Sequence, residues 1–123
     1  MKTELQEKLF LKYSNLFDDK KESPIKYYGI ECGDGWYSLL DNLLSKIQEL
    51  NIPEEFYVEQ IKEKFGTLRF YVSYTDDNIN TLIREAEFES EKICAICGKE
   101  GSIKKDGFGW IVCRCDECSV KEF

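Results

Sequence analysis

Apolar residues recur at helical spacing in three stretches of the chain. Leu5, Leu9, Tyr13, Leu16 and Phe17 share one face of residues 3–17, with charges between them, and predict a first helix with Thr3 at its cap. Trp36, Leu39, Leu40, Leu43, Leu44, Ile47 and Leu50 form a wide stripe over 36–50, the pattern of a helix packed into a core, which Asn51-Ile52-Pro53 ends. Ile79, Leu82, Ile83, Ala86 and Ile93 mark a third helix over 78–93, capped by Asp76-Asp77-Asn78. A period of two appears in 67–74, where Leu68, Phe70, Val72 and Tyr74 alternate with Arg69, Tyr71 and Ser73. Joined to the less regular segment 56–63 through Lys64-Phe65-Gly66-Thr67, it predicts a hairpin over 56–74. Residues 18–27 are polar, contain Pro24 and read as a loop.

These elements predict an α+β body over residues 1–93. The remaining stretch, 94–123, follows a different logic. Cys94-Ala-Ile-Cys97-Gly98 and Cys115-Asp-Glu-Cys118 are two C-x-x-C knuckles separated by 17 residues, a spacing that matches four-cysteine zinc sites. Each knuckle wraps two thiolates around one metal, and two knuckles complete a tetrahedron. Between them, Asp106-Gly107 signals a hairpin turn, with Ile103, Trp110 and Val112 able to face one way. The segment therefore predicts a C-terminal zinc ribbon holding one structural Zn²⁺ through Cys94, Cys97, Cys115 and Cys118, docked on the body. Paired disulfides would need an exported chain, and the start MKTELQEKLF has no signal-peptide core. Cys32 and Cys113 are left over and read as small buried hydrophobes, although Cys113, two residues before Cys115, could compete as a ligand through a poor C-R-C knuckle.

Composition narrows the function. A chain of 123 residues, 42% hydrophobic and 33% charged, is an ordinary folded composition with no run long enough to span a bilayer. Histidine is absent, which removes His-based catalysis and His metal ligands. The net charge is −7, and residues 1–93 hold all of the excess, with 12 basic and 19 acidic side chains. An acidic body opposes broad nucleic-acid binding and favours a basic partner or simple solubility.

Two segments exceed what folding requires. Gly29-Ile-Glu31-Cys32-Gly33-Asp34-Gly35-Trp36 places three glycines and two acids before a helix. It reads as a turn capped by Asp34 or Gly35 with Trp36 buried beneath, as an anion-binding helix start, or as a carboxylate Mg²⁺ site of Glu31, Asp34 and Asp41. Lys62, Lys64, Arg69 and Tyr71 can form one basic and aromatic face on the hairpin, suited to a phosphate-bearing or nucleotide ligand. Arg69 can instead bridge Glu31 or Asp34 as a structural ion pair.

The runs GIECGDGWYSLLDNL, IKEKFGTLRFYV and ICAICGKEG…GW…CDEC together resemble a family of small uncharacterised proteins of tailed phages and prophages. The resemblance spans residues 29–118. Cys118 stands where many relatives have His, and Cys113 is extra. The resemblance implies a phage or prophage setting, hence the bacterial cytoplasm, and no reaction. The leading expectation is a non-enzymatic accessory protein used in host takeover or counter-defence, which binds a host protein or a nucleotide-like molecule, alone or as a homo-oligomer. Its candidate contacts are Glu31, Asp34, Trp36, Lys62, Lys64, Arg69 and Tyr71. The alternative is a nucleic-acid-associated ribbon using Lys99, Lys104, Lys105, Trp110 and Arg114. A metal-dependent nuclease or phosphoesterase built on Glu31, Asp34 and Asp41 is less favoured.

Overall fold

In a computed structural model that describes residues 1–120, the chain forms two small sheets and a set of helices around one main apolar core. Helix α1 (Thr3–Lys12) passes through a 3₁₀ turn at Ser14–Leu16, shorter than the single helix over 3–17 that the periodicity predicts. Thr3 is the first helical residue rather than its cap, and Lys2 precedes it. The expected loop over 18–27 contains helix α2 (Pro24–Tyr28), with Pro24 in the first helical turn, where a missing N–H costs nothing. Strand β1 (Ile30–Glu31) follows, then a 3₁₀ turn at Asp34–Trp36 that leads into α3 (Tyr37–Gln48).

Strands β2 (Val58–Lys64) and β3 (Thr67–Val72) form the expected hairpin, and β1 joins β2 in parallel to give the order β1-β2-β3. Ile30, Ile61 and Phe70 lie in one cross-strand row facing the core. Helix α4 (Asp77–Ser90) covers that face with Ile79, Ile83 and Ala86, and Asp76 caps it by accepting the Ile79 N–H at 2.9 Å. Side chains close both sheet edges. Ser90 Oγ accepts the Leu68 N–H at 2.9 Å, Glu87 accepts that of Phe70 at 3.2 Å, and Gln6 accepts that of Ile30 at 2.9 Å. Edge amides that would otherwise template another strand are thereby occupied.

Strands β4 (Ser102–Lys105) and β5 (Ile111–Arg114) form the C-terminal hairpin, and α5 (Asp116–Val120) carries the second knuckle. The register sets Ile103 opposite Cys113 and Lys104 opposite Val112, so Ile103 and Val112 do not share a face. Trp110 lies outside the strand and is exposed. Ala95 and Cys113 belong to the same apolar cluster as Trp36, Leu40, Leu68 and Ile79, so the core continues from body into hairpin.

Trp36 is fully buried at the centre, and its Nε1–H donates to the Ile93 carbonyl at 2.8 Å. Trp36→Ala is expected to cost about 3–5 kcal/mol in urea unfolding, from lost burial and an unfilled cavity. Asp41 ties α3 to α1, accepting from Tyr13 Oη at 2.5 Å and Lys12 Nζ at 3.0 Å. The Tyr13 hydrogen bond, helped by Lys12, holds the Asp41 carboxyl below its usual value of 3.8. A lowered carboxyl stabilises the fold above its unfolded pKa, and that stability fades as pH falls through the folded value. Asp41→Asn is expected to lower the melting temperature near neutral pH and to flatten its decline below about pH 3.8. An unchanged acid profile would remove Asp41 as a contributor.

Candidate functional site

Four cysteine sulfurs, those of Cys94, Cys97, Cys115 and Cys118, lie within 4.8 Å of one another. Cys97 Sγ and Cys115 Sγ are 3.6 Å apart. Metal–sulfur bonds of ~2.3 Å in a regular tetrahedron set sulfurs about 3.8 Å apart, so this spacing suits one small ion. The local backbone makes each knuckle. Gly98 N–H closes on the Cys94 carbonyl at 2.9 Å with φ of 82°, and Cys118 N–H points at Cys115 Sγ at 3.4 Å.

The charges agree with a cation site. Burial opposes ionisation of Cys94, but the N–H groups of Cys97, Cys115 and Ile96 outweigh it and bring the thiol down to about 6. Burial and the neighbouring sulfurs push Cys118 up to about 12. The Cys97 thiol is raised as well, so without an ion the cluster does not ionise fully; a bound dication would favour all four thiolates and relieve their mutual repulsion. Among the described residues this is the one group of three or more His, Cys, Asp or Glu arranged to hold a metal. A tetrahedral ion held by all four sulfurs would have no coordination position open for a substrate.

Cys113 and Cys32 stand outside the cluster, both buried. Burial lifts the Cys32 thiol to about 12 and the Cys113 thiol to about 11. Cys113 Sγ–H donates to the Ile93 carbonyl at 3.2 Å, the same oxygen that accepts from Trp36.

The glycine- and acid-rich segment before α3 grips the first knuckle. Gly35 N–H donates to the Ala95 carbonyl at 2.9 Å. A Cβ on Gly35 would sit 2.1 Å from the Cys94 carbonyl oxygen, and one on Gly33 would sit 2.0 Å from that of Ala95. These positions are glycine because two backbones touch there. At the other end of the body, a Cβ on Gly66 would lie 2.9 Å from the Val112 carbonyl carbon. Gly66 has φ of 80°, so it serves both the hairpin turn and the contact with β5.

The expected Mg²⁺ site does not form. Asp41 is engaged by Tyr13 and Lys12, Asp34 accepts the Lys2 N–H at 2.8 Å, and Glu31 accepts from Gln60 Nε2 at 3.2 Å. Asp34 is not a side-chain cap either; Gly33 precedes the 3₁₀ turn and no side chain caps it. Trp36, expected as a contact residue, is inaccessible because it fills the core.

The sheet does bring Glu31, Lys62 and Arg69 into one row on the face away from the core, with Tyr71 beside Gln60 in the next row. Lys64 lies further along the same strand face. Among the described residues Arg69 makes no ion pair with Glu31 or Asp34, and its buried Nε has no hydrogen-bond partner. On the C-terminal hairpin, Lys104 pairs with Asp116 at 3.2 Å and Lys99 with Glu117 at 3.7 Å. No helix among the described residues is long and apolar enough to cross a membrane. In comparisons with protein-family models, curated proteins and solved structures, nothing matches the chain.

Gly35→Ala is expected to lower the melting temperature and to speed the reaction of the cluster thiols with a thiol reagent, because the new Cβ collides with backbone and must push the knuckle away. Unchanged melting and thiol reactivity would show that the contact yields without cost.

Proposed function

We propose that this chain is a zinc-stabilised, non-enzymatic binding protein of the phage or prophage accessory kind that its motifs resemble, acting in the bacterial cytoplasm on a host component. The observation that carries the reading is the closed four-cysteine cluster welded to the body by Gly33 and Gly35. A tetrahedral all-sulfur site takes zinc or iron. With every ligand position filled by protein, the ion serves as a staple for a segment that has little apolar core of its own. Zinc fits this role because it carries no redox chemistry.

Binding falls to the surfaces. The outer sheet face carries Lys62, Arg69 and an exposed Tyr71. Such a face suits an anionic group on a host protein or a nucleotide-like molecule. The nucleic-acid reading draws less support, since acids of α5 already pair with Lys99 and Lys104 and the chain carries a net −7.

Elemental analysis of the purified protein is expected to give one zinc per chain and no iron, and Cys97→Ser is expected to lose the metal and unfold the C-terminal hairpin. Full metal content and unchanged melting in Cys97→Ser would overturn the staple. Native mass spectrometry after exposure to bacterial extract is expected to show a retained partner or small molecule, and it counts subunits in the same spectrum. Catalytic turnover of a phosphoester by the zinc-loaded protein would overturn the non-enzymatic reading.

A further inference from the structure

The tip of the β2–β3 hairpin is built against its own backbone preference. Phe65 has φ of 54° and Gly66 φ of 80°, both left-handed. Two-residue turns of this kind favour Asn or Asp followed by Gly, and a bulky residue at the first position is strained. Burial does not compensate, because Phe65 is 62% exposed. A strained, displayed aromatic ring is a reason to look for a ligand beside it.

Across from it stands a second displayed ring. Trp110 is 69% exposed, in a turn that holds its shape: Asp106 Oδ1 accepts the N–H of Phe108 at 2.8 Å and that of Trp110 at 2.9 Å. Phe65 and Trp110 line one cleft of about 450 Å³, together with Glu63, Ile111, Val112 and Arg114. The volume lies in the range of small-molecule sites, about 300–1,000 Å³. The two lips keep their spacing because Gly66 sits against Val112 and Cys113 of β5.

The charges at this cleft select the ligand. Lys64 lies on its wall, with Nζ 5.7 Å from the Phe65 ring, and Lys105 stands opposite Ile111 in the β4–β5 register. Neither lysine makes an ion pair among the described residues, on a chain whose net charge is −7. Asp106 has its carboxylate engaged by the turn. Glu63 faces inward, and burial raises its carboxyl while Arg114 partly offsets this. The cleft thus offers aromatic rings for a planar ring system and a carboxyl group for its hydrogen-bonding edge, with Lys64 on its wall and Lys105 next to the lining residue Asp106 for an anion.

We propose that the cleft between the Phe65 turn and the Trp110 turn binds a mononucleotide, its base against the two aromatic rings and its phosphate toward Lys64 and Lys105. This rests on the reading of the chain as a binding protein and gives the nucleotide a seat in this cleft instead of on the outer sheet face. A free nucleotide is favoured over a strand because the acidic body repels a polyanion.

The test is isothermal titration of the zinc-loaded protein with AMP, GMP, CMP and UMP, and separately with a thymidine octanucleotide. Saturable binding of at least one mononucleotide is expected below about 1 mM. Phe65→Asn is expected to keep or raise the melting temperature, since Asn suits the left-handed position, while weakening binding about tenfold or more. Trp110→Ala is expected to weaken binding similarly without loss of melting temperature. Phe88→Ala, an exposed aromatic on α4 away from the cleft, serves as the control and keeps wild-type affinity.

Absence of saturable binding, or equal affinity in Phe65→Asn and wild type, would overturn the proposal. Tighter binding of the octanucleotide than of any monomer would overturn it in favour of a single strand. Metal content measured on the same samples separates this outcome from a failure of the zinc staple.

Discussion

The contact between Gly33–Gly35 and the backbone of Cys94–Ala95 is the constraint on which the rest depends. No side chain fits between these strands of backbone, since a Cβ on Gly35 would lie 2.1 Å from a carbonyl oxygen. Around it, the Ile93 carbonyl accepts from both Trp36 Nε1 and Cys113 Sγ. One oxygen therefore joins the start of α3, the entry to the first knuckle and strand β5. A buried acceptor with two donors is satisfied, and loss of either leaves polar atoms stranded in a dry place. The four cysteines bring the two knuckles together, and this joint ties them to the apolar core.

This arrangement explains how a short chain joins two small sheets. The sheet has three strands, and its exposed edges are closed by Gln6, Ser90 and Glu87 rather than by more strands. The C-terminal hairpin has two strands and few buried apolar residues apart from Val112 and Cys113. Such a ribbon is marginal by itself. Docking on the body supports it from one side, and the four-cysteine cluster joins it at the other.

Much of this was legible in the chain. Knuckle spacing announced the cysteine cluster, because ligand geometry demands short local motifs. The stripe of α3 and the cap at Asp76 announced two helices, because periodicity and capping are local properties. The alternation over 67–74 announced β3 and its faces. Strand β1, with two residues, and helices α2 and α5, with five each, left no periodic signal. They are held by their neighbours: β2 for β1, the Cys115–Cys118 knuckle for α5. Thr3 and Asp34 looked like caps, but tertiary contacts placed Asp34 against Lys2 instead.

By itself, then, the sequence determined the local units: the helices with strong stripes, the β2–β3 hairpin, and the four cysteines that come together. Those follow from interactions between residues close in the chain. The tertiary structure decided which surfaces the units show. It buried Trp36, scattered Glu31, Asp34 and Asp41 among separate partners, aligned Glu31, Lys62 and Arg69 across three strands, and set Phe65 beside Trp110. These juxtapositions join residues up to 45 positions apart in the chain: strand pairing aligns Glu31 with Lys62 and Arg69, and the contact of Gly66 with β5 lies beside the cleft that Phe65 and Trp110 share.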